Sequence, residues 1–286
     1  MKKHDLIGLI DLGADVAEAD GGLTSYFVQT STYRELVSDQ KDVIVGVKGS
    51  GKSALSQILT APDDSIAIDE LSDVNVISLV NVQGSRIFGT ISEETTESTF
   101  RRLWVAFILG VVGNHIVDTY GSVSGVSDLA RHLERFGLSA PNTQPTGKLK
   151  ALLRVISKST TEVEGRVGGS GASVMASLKH EPGSPHNQID DSATPDWLRD
   201  DFDYGDLIEL VHSILRIIPR RVWVVIDRLD EAFVDRRELE INALRGLLRA
   251  HIDLSARSAH LRTKVFLRND VFDLITRDSG FPNLTH

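Results

Sequence analysis

The chain has no cysteine among its 286 residues. This excludes a disulfide framework, a thiol nucleophile and a thiolate-bound metal or iron–sulfur site. An excess of positive charge is also lacking, because 31 Lys and Arg stand against 40 Asp and Glu, for a net charge of −9. A generally basic coat for nucleic acid is therefore excluded, although a local basic groove is not. The longest uncharged apolar run, residues 103–113, is shorter than the roughly 20 residues of a membrane-spanning helix. With no signal peptide pattern either, we expect a cytoplasmic protein that does not contact a membrane.

The length predicts two domains, or one larger domain that carries an insertion, at about 150 residues per domain. Hydrophobic residues make up 41% and charged residues 25% of the chain, which are ordinary values for a globular protein. Residues 139–195 are rich in glycine, proline and serine and are predicted to form a flexible insertion. Within it, apolar and polar residues alternate over 172–178, which predicts a small hairpin with 161–167 as the partner strand.

Apolar runs alternate with helical patterns along the rest of the chain. Four short runs have the composition of buried strands: residues 43–47, 74–80, 222–227 and 264–267. Three longer stretches repeat apolar residues at helical spacing: 100–116, 207–218 and 241–252. Nearly continuous Val and Ile runs are typical of parallel strands that are covered on both faces. The pattern therefore predicts an α/β fold with a mainly parallel sheet flanked by helices.

The most specific motif is a glycine-rich loop. Residues 46–53 read GVKGSGKS, which matches GxxxxGK[ST] in full between an apolar strand and a helical pattern. In such a loop the glycines let backbone N–H groups face phosphate oxygens, and the helix N-terminus adds unpaired donors. We therefore predict a nucleotide site in which Lys52 reaches the β- and γ-phosphates and Ser53 binds Mg²⁺. The predicted phosphate-binding residues are Gly46, Lys48, Gly49, Ser50, Gly51, Lys52, Ser53 and Ala54.

A second motif supplies carboxylates. Asp227 ends the apolar run that begins at residue 222, so its side chain is expected at the carboxyl edge of the sheet, where ligands bind in open α/β sheets. We predict that Asp227 binds Mg²⁺, directly or through water, and that Asp230 or Glu231 polarises the attacking water, with Glu231 the first choice. The alternative is that Asp230 and Glu231 only cap the next helix. Arg228 follows Asp227 directly, and two interpretations are open: it contacts a phosphate or a neighbouring subunit, or it is an exposed or salt-bridged arginine.

An arginine ends the last apolar strand. If the strand over 264–267 lies beside the strand of Asp227, then Arg268 points toward the γ-phosphate. A cation there senses the nucleotide or stabilises charge that develops in the transition state. The alternative is a structural ion pair with Asp227, Asp270 or Asp273, and the sequence leaves both interpretations open.

Three segments together carry a resemblance: GVKGSGKSAL, VVIDRLDEAF and KVFLRNDVFD, at residues 46–55, 224–233 and 264–273. They resemble those of bacterial P-loop ATPases of the STAND and KAP type, and NACHT-like proteins share the spacing of Asp227, Asp230 and Glu231. Residues 13–18 resemble the lead-in of a bacterial branch that occurs among antiviral defence genes and DNA-repair ATPases. The resemblance implies an additional-strand P-loop NTPase core over 1–286 that uses ATP and Mg²⁺.

The same resemblance sets expectations about organisation and role. Residues 1–40 would form an N-terminal lead-in, and a C-terminal helical lid would be missing from this chain. The implied function is an ATP-hydrolysing switch that couples its nucleotide state to conformational change or assembly in antiviral defence. A homo-oligomer or an effector protein would be its partner. Two alternatives stay open: a DNA-processing or DNA-repair motor that binds nucleic acid, and a nucleotide-binding scaffold with little turnover.

Overall fold

A computed structural model gives the fold of most of the chain. The structure describes residues 23, 27–60, 71–79, 88–89, 91–140, 143–167, 196–199, 203–233 and 235–277, without the side chains of 158–167 and 196. The helices in these ranges are α1 Ser31–Val37, α2 Lys52–Thr60, α3 Glu97–Tyr120, α4 Val126–Arg135, α5 Pro145–Val167, α6 Gly205–Ile217, α7 Arg237–Arg257 and α8 Asn269–Thr276. The strands are β1 Val43–Gly46, β2 Val74–Leu79, β3 Arg221–Ile226 and β4 Leu261–Arg268. All four predicted strands are confirmed, with ends that move by a few residues.

The strands form one four-stranded sheet in the order β1-β4-β3-β2, and every pairing is parallel. The predicted α/β fold with a parallel sheet is therefore confirmed. β4 is last in sequence but lies between β1 and β3, so the carboxyl ends of these three strands are neighbours. This order brings together loops that are far apart in the chain.

Helices cover both faces of the sheet, and β3 shows why its sequence is continuously apolar. Val222, Val224 and Ile226 belong to the core formed with α3, α6 and α7. Trp223 and Val225 belong to a second core formed with α1 and α2. Alternate residues of a strand point to opposite faces, so a strand between two helical layers needs an apolar residue at every position.

The helix predicted over 100–116 is confirmed as α3, the central helix of the larger core. Its 24 residues run from Glu97 to Tyr120, and Trp104 Nε1 donates to the carbonyl of Ala243 in α7 at 2.9 Å. By length and composition α3 could cross a membrane, yet 72% of its most apolar window is buried inside the fold. That burial is typical of a core helix in a globular protein.

Part of the predicted insertion belongs to the core instead. α5 covers Pro145–Val167, so residues 161–167 are helical and the prediction of a hairpin strand there is wrong. The partner strand predicted over 172–178 lies outside the described residues. The physical reason for the helix is an apolar stripe at helical spacing that packs against the larger core: Leu149, Leu152, Leu153 and Ile156.

Candidate functional site

The glycine-rich loop joins β1 to α2 as the motif predicts. Gly49 and Gly51 have φ values of 82° and 85°, a left-handed conformation that glycine adopts without steric cost. The first helical hydrogen bond runs from Leu55 N to Gly51 O at 2.9 Å. Gly46 packs so closely against Ser50 that a Cβ on Gly46 would lie 2.5 Å from Ser50 Oγ. The loop is thus a tight turn whose apex, including Lys48, is exposed.

Lys52 opens α2 and folds its side chain back over the loop. Its Nζ donates to the carbonyls of Gly46 at 2.8 Å and Val47 at 2.9 Å. Burial lowers the pKa of Lys52, and the nearby carboxylates of Asp227 and Asp230 oppose that shift. The loop therefore holds an ammonium group at its centre, close to the acidic residues that follow β3.

One cavity of about 340 Å³ collects most of the predicted residues from three separate segments. Its walls include Lys48, Gly49, Gly51, Lys52, Ser53, Ala54, Asp227, Arg228, Asp230, Glu231, Phe266 and Arg268. Of the predicted phosphate-binding residues, Gly46 and Ser50 are not among these wall residues. The cavity has the size of a small-molecule site and lies where β1, β4 and β3 end.

The Mg²⁺ candidates Asp227 and Ser53 share this cavity. Asp227 is only 2% exposed and follows β3 directly. The Ser53 hydroxyl accepts a hydrogen bond from Arg228 Nε at 3.1 Å. No group of three or more His, Asp or Glu with metal-ligand geometry occurs in the part of the chain that the structure describes. Mg²⁺ usually takes only one or two protein ligands and completes its shell with water and phosphate oxygens, so the Ser53 and Asp227 pair fits this ion.

Asp230 and Glu231 form a short 3₁₀ turn, Asp230–Ala232, at the edge of the cavity. Asp230 has 8% side-chain exposure, and burial raises its pKa. Glu231 is exposed to solvent at the cavity wall. The next long helix, α7, begins at Arg237 with Arg236 at its N-cap position, so neither carboxylate is the N-cap residue of that helix.

Arg268 ends β4 directly beside Gly46, its register partner in β1. Its guanidinium donates to both carboxylate oxygens of Asp270, at 3.0 and 2.5 Å, and lies 4.0 Å from Asp230 Oδ2. The side chain is 43% exposed. The structure thus contains the predicted ion pair with Asp270 and also places Arg268 on the cavity wall, where the sensor interpretation needs it.

Glu240 is a neighbour of the site that the sequence did not indicate. It lies on α7 and lines a second cavity, of about 350 Å³, which also borders Asp230, Glu231 and Arg268. Burial, with a further contribution from the charge of Asp230, raises the pKa of Glu240 to about 7. No motif joins Glu240 to the acidic segment, so only the packing of α7 reveals this carboxyl group.

No family model and no solved structure matches the chain. A "Putative transposon gamma-delta 80.3 kDa protein" from Escherichia coli (strain K12) is 23% identical over 265 residues. The match covers 90% of this chain but 33% of that protein, so the chain spans about a third of the length of this relative.

Proposed function

We propose that this chain is the core of a P-loop ATPase that binds ATP with Mg²⁺ and hydrolyses it. The observation that carries the proposal is the single cavity in which Lys52, Ser53, Asp227, Glu231 and Arg268 meet. A glycine-rich loop with a lysine, a buried carboxylate and an arginine are the groups that phosphoryl transfer from a nucleotide requires. Separate segments contribute them, so the coincidence of three motifs in one cavity is stronger support than any motif alone.

The order of the strands supports the additional-strand class of these enzymes. β4 pairs with β1 on one side and with β3 on the other. The strand before the glycine-rich loop is thereby separated from the strand before Asp227 by one further strand. Arg268 stands at the carboxyl end of this inserted strand and lines the cavity.

Each side chain has a defined part in the proposed reaction. Lys52 would exchange its bonds to the loop carbonyls for bonds to phosphate oxygens. Ser53 and Asp227 would hold Mg²⁺, which neutralises charge on the β- and γ-phosphates when bound. Glu231 would orient and polarise the attacking water, and Arg268 would leave Asp270 to contact the γ-phosphate.

The biological role follows from the same site as a further proposal. Arg268 ends β4 and Asp270 lies in the first turn of α8. If Arg268 leaves Asp270 when nucleotide fills the cavity, the change would pass to this strand and this helix, and so to the rest of the protein. We propose that this coupling drives an ATP-dependent switch of the STAND or KAP kind, which acts through self-assembly or an effector in antiviral defence.

The test is ATP turnover by the purified chain and by Lys52→Ala. We expect turnover to fall by at least about a hundredfold in Lys52→Ala, because the donor closest to the phosphates is lost. Lys41→Ala is the matched control, since the Lys41 ammonium pairs with Glu35 at 3.0 Å and Lys41 precedes β1, at the end of the strand opposite the glycine-rich loop. Circular dichroism checks that both variants stay folded. Turnover at the wild-type rate in Lys52→Ala would refute the proposal, and nucleotide binding without turnover in the wild type would favour the scaffold alternative.

A DNA-processing ATPase is the second candidate, and the name of the transposon relative favours it. It predicts that double-stranded DNA raises ATP turnover and that this stimulation falls steeply as salt rises, because phosphate contacts release counterions. Turnover that is identical with and without DNA at low salt would exclude this candidate.

A further inference from the structure

Arg228 occupies an unusual position in the candidate site. It is the first residue after Asp227 and has a left-handed φ of 56°, which is uncommon for a residue with a side chain. Its Nε donates to Ser53 Oγ at 3.1 Å, across 175 positions of sequence. A rare backbone conformation at a functional site indicates that the surrounding structure holds the residue there.

The partner of Arg228 is the hydroxyl group assigned to Mg²⁺. An arginine is always charged, so Arg228 places a fixed positive charge beside Ser53 and next to the buried carboxylate of Asp227. A divalent cation at the proposed site requires the same Ser53 oxygen. Because like charges repel, the guanidinium and the metal ion would compete for this oxygen.

We propose that Arg228 is a positioning residue that stands in for the metal ion in the nucleotide-free site and leaves Ser53 when Mg²⁺ binds. This inference rests on the proposed function. It has two consequences. Arg228 raises the Mg²⁺ concentration that the site requires, and it supports binding of ATP without metal by supplying a cation near the phosphates.

The left-handed backbone decides which substitution is informative. Asparagine tolerates this conformation better than most residues, so Arg228→Asn removes the guanidinium without adding backbone strain. Arg216→Gln is the control, because Arg216 is an exposed residue of α6 and the change removes the same charge away from the cavity.

The experiment measures binding of a fluorescent ATP analogue to the purified chain, first in EDTA and then over a range of Mg²⁺ concentrations. In Arg228→Asn the half-saturating Mg²⁺ concentration is expected to fall about tenfold. The affinity for the analogue in EDTA is also expected to fall about tenfold, which is the usual effect of losing a hydrogen bond to a charged group. Arg216→Gln is expected to match the wild type in both quantities.

Two results would overturn the inference, and they are distinguishable. If Arg228→Asn binds the analogue with the same Mg²⁺ midpoint and the same metal-free affinity as the wild type, Arg228 does not compete with the metal, and the proposed function stands. If the wild type binds no analogue at any Mg²⁺ concentration, the proposed function fails and the inference fails with it.

Discussion

The crossing of α3 and α7 leaves no room for a side chain at Gly246. A Cβ there would lie 2.7 Å from the backbone nitrogen of Arg101, 2.7 Å from Phe100 Cβ and 2.9 Å from Phe100 C. These atoms belong to the backbone and first side-chain carbon of α3, so no rotamer change relieves the overlap. Gly246→Ala therefore forces the two helices apart by several tenths of an ångström along the interface that also contains Trp104.

The expected cost can be bounded from two opposing effects. Overpacking a well-filled core costs about 1–3 kcal/mol, whereas replacing glycine by alanine inside a helix gains about 1 kcal/mol. Because the overlap involves backbone atoms, we expect the overpacking cost to lie in the upper part of its range. The net loss in the free energy of unfolding is then about 1–2 kcal/mol. Gly110→Ala is the matched control in α3, since its Cβ would meet nothing closer than 3.8 Å, at Leu138. It is expected to gain up to about 1 kcal/mol.

Urea unfolding, followed by circular dichroism, measures the free energy of unfolding of each variant. If the slope of that free energy against urea concentration is the same as in the wild type, the substitution has changed stability alone. The reasoning would be refuted if Gly246→Ala were as stable as the wild type, or if Gly110→Ala lost as much stability as Gly246→Ala. The first result would mean that α3 and α7 are not in contact at Gly246.

Two further predictions concern buried charge. Lys264 is fully buried, and its Nζ donates to Asp39 Oδ1 and Asp42 Oδ1, both at 2.7 Å. Lys264→Met leaves both carboxylates without this cation and should lower the free energy of unfolding in urea by about 3 kcal/mol. Adding Asp42→Asn should recover part of that loss. A single variant as stable as the wild type would contradict this. Burial raises the pKa of Glu240 from 4.5 to about 7, so the folded state binds the Glu240 proton more tightly than the unfolded state does. The protonated carboxyl therefore contributes to the free energy of unfolding below pH 4.5, and this contribution is lost as the pH rises to 7. Glu240→Gln should therefore be about 1–2 kcal/mol more stable than the wild type at pH 8, after allowance for partial solvent exposure, and equally stable at pH 4; a difference that does not change with pH would rule out this origin.

Much of the fold was predictable because its signals are local. The continuous apolar run of β3 indicated a strand covered on both faces, and the spacing of apolar residues in α3 indicated one long helix. The prediction of a partner strand over 161–167 is wrong, because the apolar residues Leu149 and Ile156 lie at helical spacing and begin a helix that includes 161–167. Those residues pack into the core and carry the helix onward.

The candidate site was predictable for the residues that belong to motifs. Lys52, Ser53, Asp227 and Arg268 each stand at a recognisable point, where an apolar strand ends or a helix begins. Glu240 could not be predicted in the same way, because it occupies an ordinary helical position. Its pKa depends on how α7 packs beside Asp230, which is a long-range property.

The sequence by itself determined which segments form strands and helices and which loop has the backbone freedom to surround phosphate groups. These properties depend on residues that are close together in the chain. Only the tertiary structure decided that β4 lies between β1 and β3, that Arg268 pairs with Asp270 at the cavity, and that Arg228 reaches Ser53. Such contacts arise from burying apolar surface on both faces of one sheet, and that packing brings distant polar side chains to a common edge.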